Sequence, residues 1–336
     1  MSKYAFFRDK SILITGGTGS LGKTIAKILL TEAQPQKVIV FSRDEWKQAE
    51  MKADPLFSNP TMRYFLGDVR DYNRMLRAFH EVDYIIHTAA LKQVPAAEYD
   101  PSEFVKTNVD GATNVINASI DCRVEAVIAL STDKAVNPIN LYGATKLCSD
   151  KLFVASNSYV GRIGKPRLSV VRYGNVIQSR GSIIPYWTSL IAAGAKSLPI
   201  TDLRMTRFWI TLDHAARFVL QCLENAVGGE IFIPKIPSMR IVDLAEALSP
   251  GIEHHVIGIR PGEKLHEVMV VPENAGNTLD CGDYYTIVPG TRAHDKIYIQ
   301  KVQGEQHQWV PEGFCFASNT NEKWLNAEDI RKLIKL

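Results

Sequence analysis

The sequence predicts an α/β protein in which a doubly wound parallel sheet is joined to a smaller mixed α/β lobe. Three observations predict it. Short β-branched and apolar runs alternate with helix-length amphipathic stretches through the first half, a glycine-rich turn follows the first such run, and the pattern loses its regularity in the second half. Continuous apolar runs such as Val38-Ile39-Val40-Phe41 and Val127-Ile128-Ala129-Leu130 suit strands buried on both faces. Strands that alternate with helices pair in parallel through right-handed crossovers, which is the arrangement of a Rossmann-type domain.

Strands are expected over residues 11–15, 37–41, 63–66, 84–87, 126–130 and 168–172, and a helix over 23–30. Residues 1–172 are expected to form the dinucleotide-binding domain, to which some later segments return. Residues 173–336 then make mainly a substrate-binding lobe, with turn clusters around 174–182, 234–238 and 258–262. Open α/β sheets bind their ligands beyond the carboxyl ends of the strands, so the second lobe is expected to close a cleft over that edge.

Composition narrows the class. The 336 residues are 46% hydrophobic and 22% charged, with 22 Gly and 16 Pro, which excludes disorder, collagen and coiled coil. At roughly 150 residues per domain, the chain has room for about two. A net charge of +3 gives no reason to expect nucleic acid or an anionic membrane as partner. The start has no apolar run of the ~7–15 residues a signal peptide needs, and no stretch approaches the ~20 needed to span a bilayer, so a cytoplasmic protein is expected. Cys122, Cys148, Cys222, Cys281 and Cys315 are odd in number and never in CxxC spacing; they are expected to be reduced packing residues. The adjacent pair His254-His255 lacks ligand spacing and an accompanying Cys or carboxylate cluster, so it is expected to be a loop pair and no metal is expected.

The first expected strand runs into Gly16-Gly17-Thr18-Gly19-Ser20-Leu21-Gly22. Glycines at 16, 19 and 22 fit a variant dinucleotide fingerprint, in which they serve a tight turn, close backbone approach to pyrophosphate and close helix packing. A tight turn with no ligand is the plainer reading. Cofactor choice is set after the second strand, where an acid suits NAD and an Arg suits NADP. That place reads Ser42-Arg43-Asp44, with Lys47 following. Asp44 lies past the strand end while Ser42 and Arg43 occupy the turn, which favours NADP; a solvated helix start is the competing reading of Arg43 and Lys47. Asp68-Val69 after the third strand resembles a pair that contacts adenine in short-chain dehydrogenases, and Asp68 equally suits a helix cap. Thr88, after the fourth strand, lies in a run of small residues where a cofactor can pass close to backbone, with simple packing as the competing reading.

Tyr142 and Lys146 form a YxxxK pair on one helix face. A free phenol has a pKa near ~10, so a nearby cation is needed to make it a base at neutral pH. With the glycine turn and Ser131-Thr132 at the preceding strand end, the pattern resembles the extended short-chain dehydrogenase/reductase family over almost the whole chain. Leu130-Ser131-Thr132-Asp133-Lys134-Ala135 and residues 137–146 further resemble the inverting UDP-N-acetylglucosamine 4,6-dehydratases that open pseudaminic acid biosynthesis. Residues 90–95, 171–176, 200–209 and 259–267 support this.

That resemblance implies a lyase that oxidises sugar C4, removes the C5 proton, expels the C6 hydroxyl as water and returns the hydride to C6, with a tightly held NADP recycled in each turnover. It implies Tyr142 as base at the C4 hydroxyl, Lys134 as base at C5 and Asp133 as acid at C6, with Thr132 and Lys146 completing the set. Retaining sugar-nucleotide dehydratases typically carry Asp-Glu where this chain has Asp133-Lys134. Lys134 must be substantially neutral to act as a base. Consecutive residues in extended chain point apart, so both reach one sugar only if the backbone turns. For the substrate, UDP-N-acetylglucosamine, the resemblance implies Lys92, Asn175, a uridine wall of Ile183, Ile184, Pro185, Tyr186 and Trp187 with Thr201, and Arg260 and Asn321. Arg204 and Arg207 are open between basic contacts and structural pairs; the aromatic stretch 205–209 is core or pocket wall. Family members are commonly homo-oligomers. A retaining dehydratase, a 4-epimerase and a non-catalytic dinucleotide sensor remain as alternatives.

Overall fold

The computed structural model describes residues 4–161, 164–177, 182–303 and 308–334; residues 178–181 of the first expected turn cluster lie outside them. The strands are β1 (Ser11–Thr15), β2 (Lys37–Ser42), β3 (Met62–Leu66), β4 (Tyr84–His87), β5 (Ala126–Thr132), β6 (Arg167–Tyr173), β7 (Asn175–Val176), β8 (Ser197–Ile200) and β9 (Thr206–Ile210). They continue with β10 (Ile231–Pro234), β11 (Ser238–Arg240), β12 (Glu253–Val256), β13 (Val268–Val270), β14 (Thr278–Asp280), β15 (Tyr284–Ile287), β16 (Gln308–Trp309) and β17 (Phe316–Ala317).

Among the described residues, ten strands form the main sheet, in the order β16-β14-β15-β10-β6-β5-β4-β1-β2-β3. From β3 to β10 every pairing is parallel, and β15, β14 and β16 extend the edge antiparallel. The six expected strands all form, each within two residues of its expected bounds. Side chains alternate between the faces of the sheet. Ile12, Ile14, Val38, Val40, Ile86 and Ile128 enter one core layer, while Leu13, Ile39, Ile85, Val127 and Ala129 enter the other. Each large apolar side chain so buried contributes roughly 1.5–3 kcal/mol, and this is why β1, β4 and β5 carry no polar alternation.

The second half also builds a separate core. β11, β9 and β7 form a small sheet, β8 pairs with β12, and β13 pairs with β17. Trp187, Leu198, Met205, Trp209, Met239, Leu244 and Ile330 pack within this lobe, so the aromatic stretch is mostly core. His254 and His255 are not a loop pair. They form part of β12, exposed beside β8, where strand geometry sends successive side chains to opposite faces. Among the described residues, no helix is long and apolar enough to cross a membrane.

The first helix, Ser20–Ile28, begins three residues before its expected start. The turn is tight enough to bring this about: Gly16 takes a left-handed φ of +66° and its carbonyl accepts the Gly19 N–H at 2.9 Å. Gly22 is thereby already helical, at a place where a Cβ would lie 2.6 Å from the Gly17 Cα.

Candidate active site

The carboxyl ends of the parallel strands open onto a cleft of about 1050 Å³, lined by residues from the glycine turn, the ends of β2, β4, β5 and β6, and the 260–267 loop of the second lobe. Gly16, Thr18, Gly19, Ser20, Leu21 and Gly22 all line it. A Cβ on Gly16 would meet the Ala89 backbone at 2.9 Å, so the chain passes here only without a side chain. Gly19 caps the first helix with no side-chain hydrogen bond. The first-turn N–H groups of that helix therefore have no side chain of their own to satisfy them, which suits a phosphate.

Ser42, Arg43, Lys47, Asp68, Val69 and Thr88 line the same cleft. Asp44 is committed to the protein: it caps the helix Glu45–Ala53 by accepting the Lys47 N–H at 3.0 Å, and its carboxylate pairs with Lys47 Nζ at 2.6 Å. Those hydrogen bonds from Lys47 hold its carboxyl below the ordinary value. Arg43 is 56% exposed and approaches Asp68 at 3.8 Å. Asp68 does not cap the following helix, because Asp71 does so by accepting the Arg74 N–H. Instead Asp68 receives Arg70 through its Nε at 3.0 Å and an Nη at 2.7 Å. Thr88 donates its hydroxyl to the Thr15 carbonyl at 2.7 Å.

The backbone does turn after Thr132: Asp133–Ala135 is a single 3-10 turn, and the Lys134 N–H donates to Thr132 Oγ1 at 3.3 Å. Asp133 and Lys134 are thus not a solvated pair. Lys134 Nζ donates to Asp133 Oδ1 at 3.0 Å and to Asn175 Oδ1 at 3.3 Å, and the Thr132 hydroxyl donates to the same Asp133 oxygen at 2.9 Å. Thr132, Lys134, Tyr142 and Lys146 line the cleft, whereas Asp133 is fully buried behind them and its Oδ2 has no hydrogen-bond partner.

A base role needs Lys134 substantially neutral, and at rest its surroundings work against that. Burial opposes the charge, but Asp133 and Glu267 outweigh it and hold the ammonium well above the ordinary lysine range. Burial pushes the Tyr142 phenol up to about 12, while the Lys134 charge and a hydrogen bond with Thr132 pull the other way. Lys146 is balanced by Asp150, and burial lowers its ammonium. Asp150 is itself fixed by the Ser131 hydroxyl at 2.7 Å and by Arg172 at 3.2 Å.

Lys92, Asn175 and Arg260 line the cleft. Burial and the neighbouring Lys134 charge lower the Lys92 ammonium. The other expected substrate contacts are not brought to it. Ile183, Ile184, Pro185, Tyr186 and Trp187 open the helix Ile183–Ala192; Ile184 and Trp187 are buried in the lobe core and Tyr186 is half exposed. Thr201 donates to Met205 Sδ at 3.2 Å. Asn321 donates to the Ile236 carbonyl at 2.9 Å and to Ser238 Oγ at 3.0 Å, so its amide is spent holding its own loop. Arg204 is an exposed partner of Asp202.

Arg207 is nearly buried yet lines the cleft, donating to the carbonyls of Thr206, Leu265 and Lys264 and lying 3.6 Å from Glu263 and 3.9 Å from Glu267. Glu263, Lys264 and Glu267 were given no role from the sequence. The density of charge between Arg260 and Glu267 was the available signal.

The family model described as "Polysaccharide biosynthesis protein" matches residues 12–289. A Campylobacter jejuni protein named UDP-N-acetylglucosamine 4,6-dehydratase (inverting) is 53% identical over 98% of both chains. A Rickettsia akari protein named UDP-glucose 4-epimerase is 41% identical over 98% of this chain and 96% of its own. The solved structure of Pen from Bacillus thuringiensis superposes with a TM-score of 0.88 at 35% identity, covering 98% of each chain. By these matches, and by the glycine turn and Tyr142/Lys146 pair on a parallel sheet, the chain belongs to the polysaccharide biosynthesis protein family of extended short-chain dehydrogenases/reductases.

Proposed function

We propose that this chain is a C5-inverting UDP-N-acetylglucosamine 4,6-dehydratase with a resident NADP, yielding UDP-2-acetamido-2,6-dideoxy-β-L-arabino-hex-4-ulose for pseudaminic acid biosynthesis. The observation that carries the reading is Lys134 Nζ, held 3.0 Å from the buried Asp133 and presented to the same cleft as Tyr142. The Campylobacter relative's name supports the substrate and the inversion.

The glycine cradle and the open helix terminus fit a dinucleotide, with Thr18, Ser42, Arg43 and Lys47 around its ribose end and Tyr142 and Lys146 near its reactive end. Arg43 favours NADP, since it is exposed at the strand end while Asp44 is used as a cap. Such a cofactor supplies the acceptor and later the donor of one hydride.

The chain's own residues move the protons. Tyr142 takes the C4 hydroxyl proton as its phenolate, the form that the Lys134 charge and the hydrogen bond with Thr132 favour. At rest Lys134 is an ammonium and Asp133 its counter-ion. For the next steps Lys134 gives one proton to solvent, which leaves an amine to take the C5 proton; that new N–H bond then breaks as an O–H bond forms on Asp133, which protonates the departing C6 hydroxyl and returns to the carboxylate. As the hydride returns to C6, C5 takes a solvent-derived proton on its other face, which sets the inverted configuration. Lys92, Asn175 and Arg260 hold the nucleotide sugar, Arg260 being suited to a diphosphate.

The deciding experiment incubates the purified protein with UDP-N-acetylglucosamine in deuterated water, without added cofactor, and follows the sugar protons by NMR. A 4-keto-6-deoxy product with deuterium at C5 and L-arabino couplings is expected. Retained configuration would overturn the inversion, and a C4 epimer as sole product would favour the activity in the Rickettsia relative's name.

A further inference from the structure

Glu267 sits inside the charged cluster that the sequence left without a role. Its N–H donates to Ser318 Oγ at 2.9 Å and the Ser318 N–H returns to its carbonyl at 2.8 Å, so its backbone is fixed ahead of β13. The residue is 2% exposed. Oε1 lies 3.4 Å from Lys134 Nζ and 3.9 Å from Arg207 Nε, and Oε2, without a hydrogen bond, lies 3.9 Å from Lys264 Nζ. Asp133 repeats this arrangement at the same nitrogen, with one oxygen at 3.0 Å and the other unpartnered. Two buried carboxylates, each with an unsatisfied oxygen, are costly to keep, and they converge on one ammonium.

We propose that Glu267 is a positioning residue of the reaction: reaching across from the second lobe, it grips the Lys134 ammonium and sets, together with Asp133, the pH at which that nitrogen gives up its proton. This rests on the reading of Lys134 as the base at C5. The charges facing Lys134 come from every side: Asp133 on its own turn, Tyr142 on the next helix, Lys92 from the loop after β4, Arg207 on β9, and Lys264 with Glu267 before β13. The three cations disfavour a charge on Lys134 and the two carboxylates hold it there. Removing one carboxylate therefore tips the balance toward the amine. Burial pushes the Glu267 carboxyl up while the Lys134, Arg207 and Lys264 charges pull it down, and it exchanges no proton with the sugar.

The test measures deuterium entry at C5 across a pH series. In wild type the rate should rise with pH as Lys134 loses its proton. In Glu267→Gln, which keeps the shape and loses the charge, that rising limb should move down by about one pH unit or more. Glu267→Asp keeps a charge on a shorter arm and should move it less in the same direction; it decides the matter if the Gln variant does not fold. Binding of UDP, followed by calorimetry, reports an intact site in each variant. A lower rate at every pH with the limb unmoved would make Glu267 a structural residue and overturn the proposal. A wild-type protein that never exchanges C5 would instead overturn the dehydratase reading on which this one stands.

Discussion

Gly143 lies directly against the Lys134 carbonyl oxygen, and a Cβ at that position would overlap it. Gly143 is the third residue of the helix Leu141–Ala155, one residue after Tyr142, so this contact sets how closely the phenol approaches the Lys134 turn. Asn140 fixes the same helix start by accepting the Gly143 N–H at 2.8 Å, and it donates to the Gly262 carbonyl at 2.7 Å across to the second lobe. Gly143→Ala must push the helix off the turn. Overpacking of this kind costs about 1–3 kcal/mol, and a shift near 1 Å at a reacting group costs on the order of 100-fold in rate. Turnover should therefore fall far more than the melting temperature suggests. A variant with near wild-type turnover would show that the contact relaxes without moving Tyr142.

The split of roles between Asp133 and Lys134 is separable by substitution. Lys134→Ala should abolish deuterium entry at C5 while dinucleotide binding persists, because Lys134 lines the cleft from the turn after β5 and not from the glycine turn. Asp133→Asn should retain C5 exchange and slow loss of water by roughly 100-fold or more, the usual worth of a general acid. Exchange that survives in Lys134→Ala would remove that residue from the base role.

The sheet was legible because burial on both faces writes itself as unbroken apolar runs: β1 and β4 have the expected bounds. The glycine turn and the Tyr142/Lys146 pair were legible because each is local, set by fixed spacing along one turn or one helix face. Glu267 was not, since its importance arises from a contact with Lys134 across more than a hundred residues. The protonation of Lys134 was hidden for the same reason, as it depends on that second carboxylate. Asp68 missed its alternative role through competition: Asp71 stands at the cap position three residues nearer the helix, and Arg70 claims the Asp68 carboxylate.

Cofactor choice is testable at Arg43. Its guanidinium is more exposed than buried and its approach to Asp68, at 3.8 Å, is too long for a hydrogen bond. Arg43→Ala should weaken NADP by about tenfold or more and leave NAD nearly unchanged, since only the former carries a phosphate for the guanidinium to meet. Titration of both dinucleotides into protein stripped of cofactor measures this. Equal losses would make Arg43 a surface residue.

His87 makes stability depend on pH. It is fully buried, with Nδ1 2.8 Å from Thr15 Oγ1 and its ring near Phe153. Burial, with a smaller contribution from Lys146, pushes its pKa down to about 3. The unfolded chain takes up a proton on this ring near pH ~6.5, which the folded protein refuses until far lower pH. The contribution of His87 is therefore complete above about pH 6.5 and is lost as the pH falls from there toward 3. The loss amounts to a few kcal/mol. His87→Gln keeps a polar partner for Thr15 but does not titrate, so its urea midpoint should fall less steeply than that of wild type between neutral pH and pH ~4. Because the protein's carboxylates titrate alike in both, the difference between the two curves isolates the ring. Parallel curves would mean that His87 takes its proton in the folded state as readily as in the unfolded one.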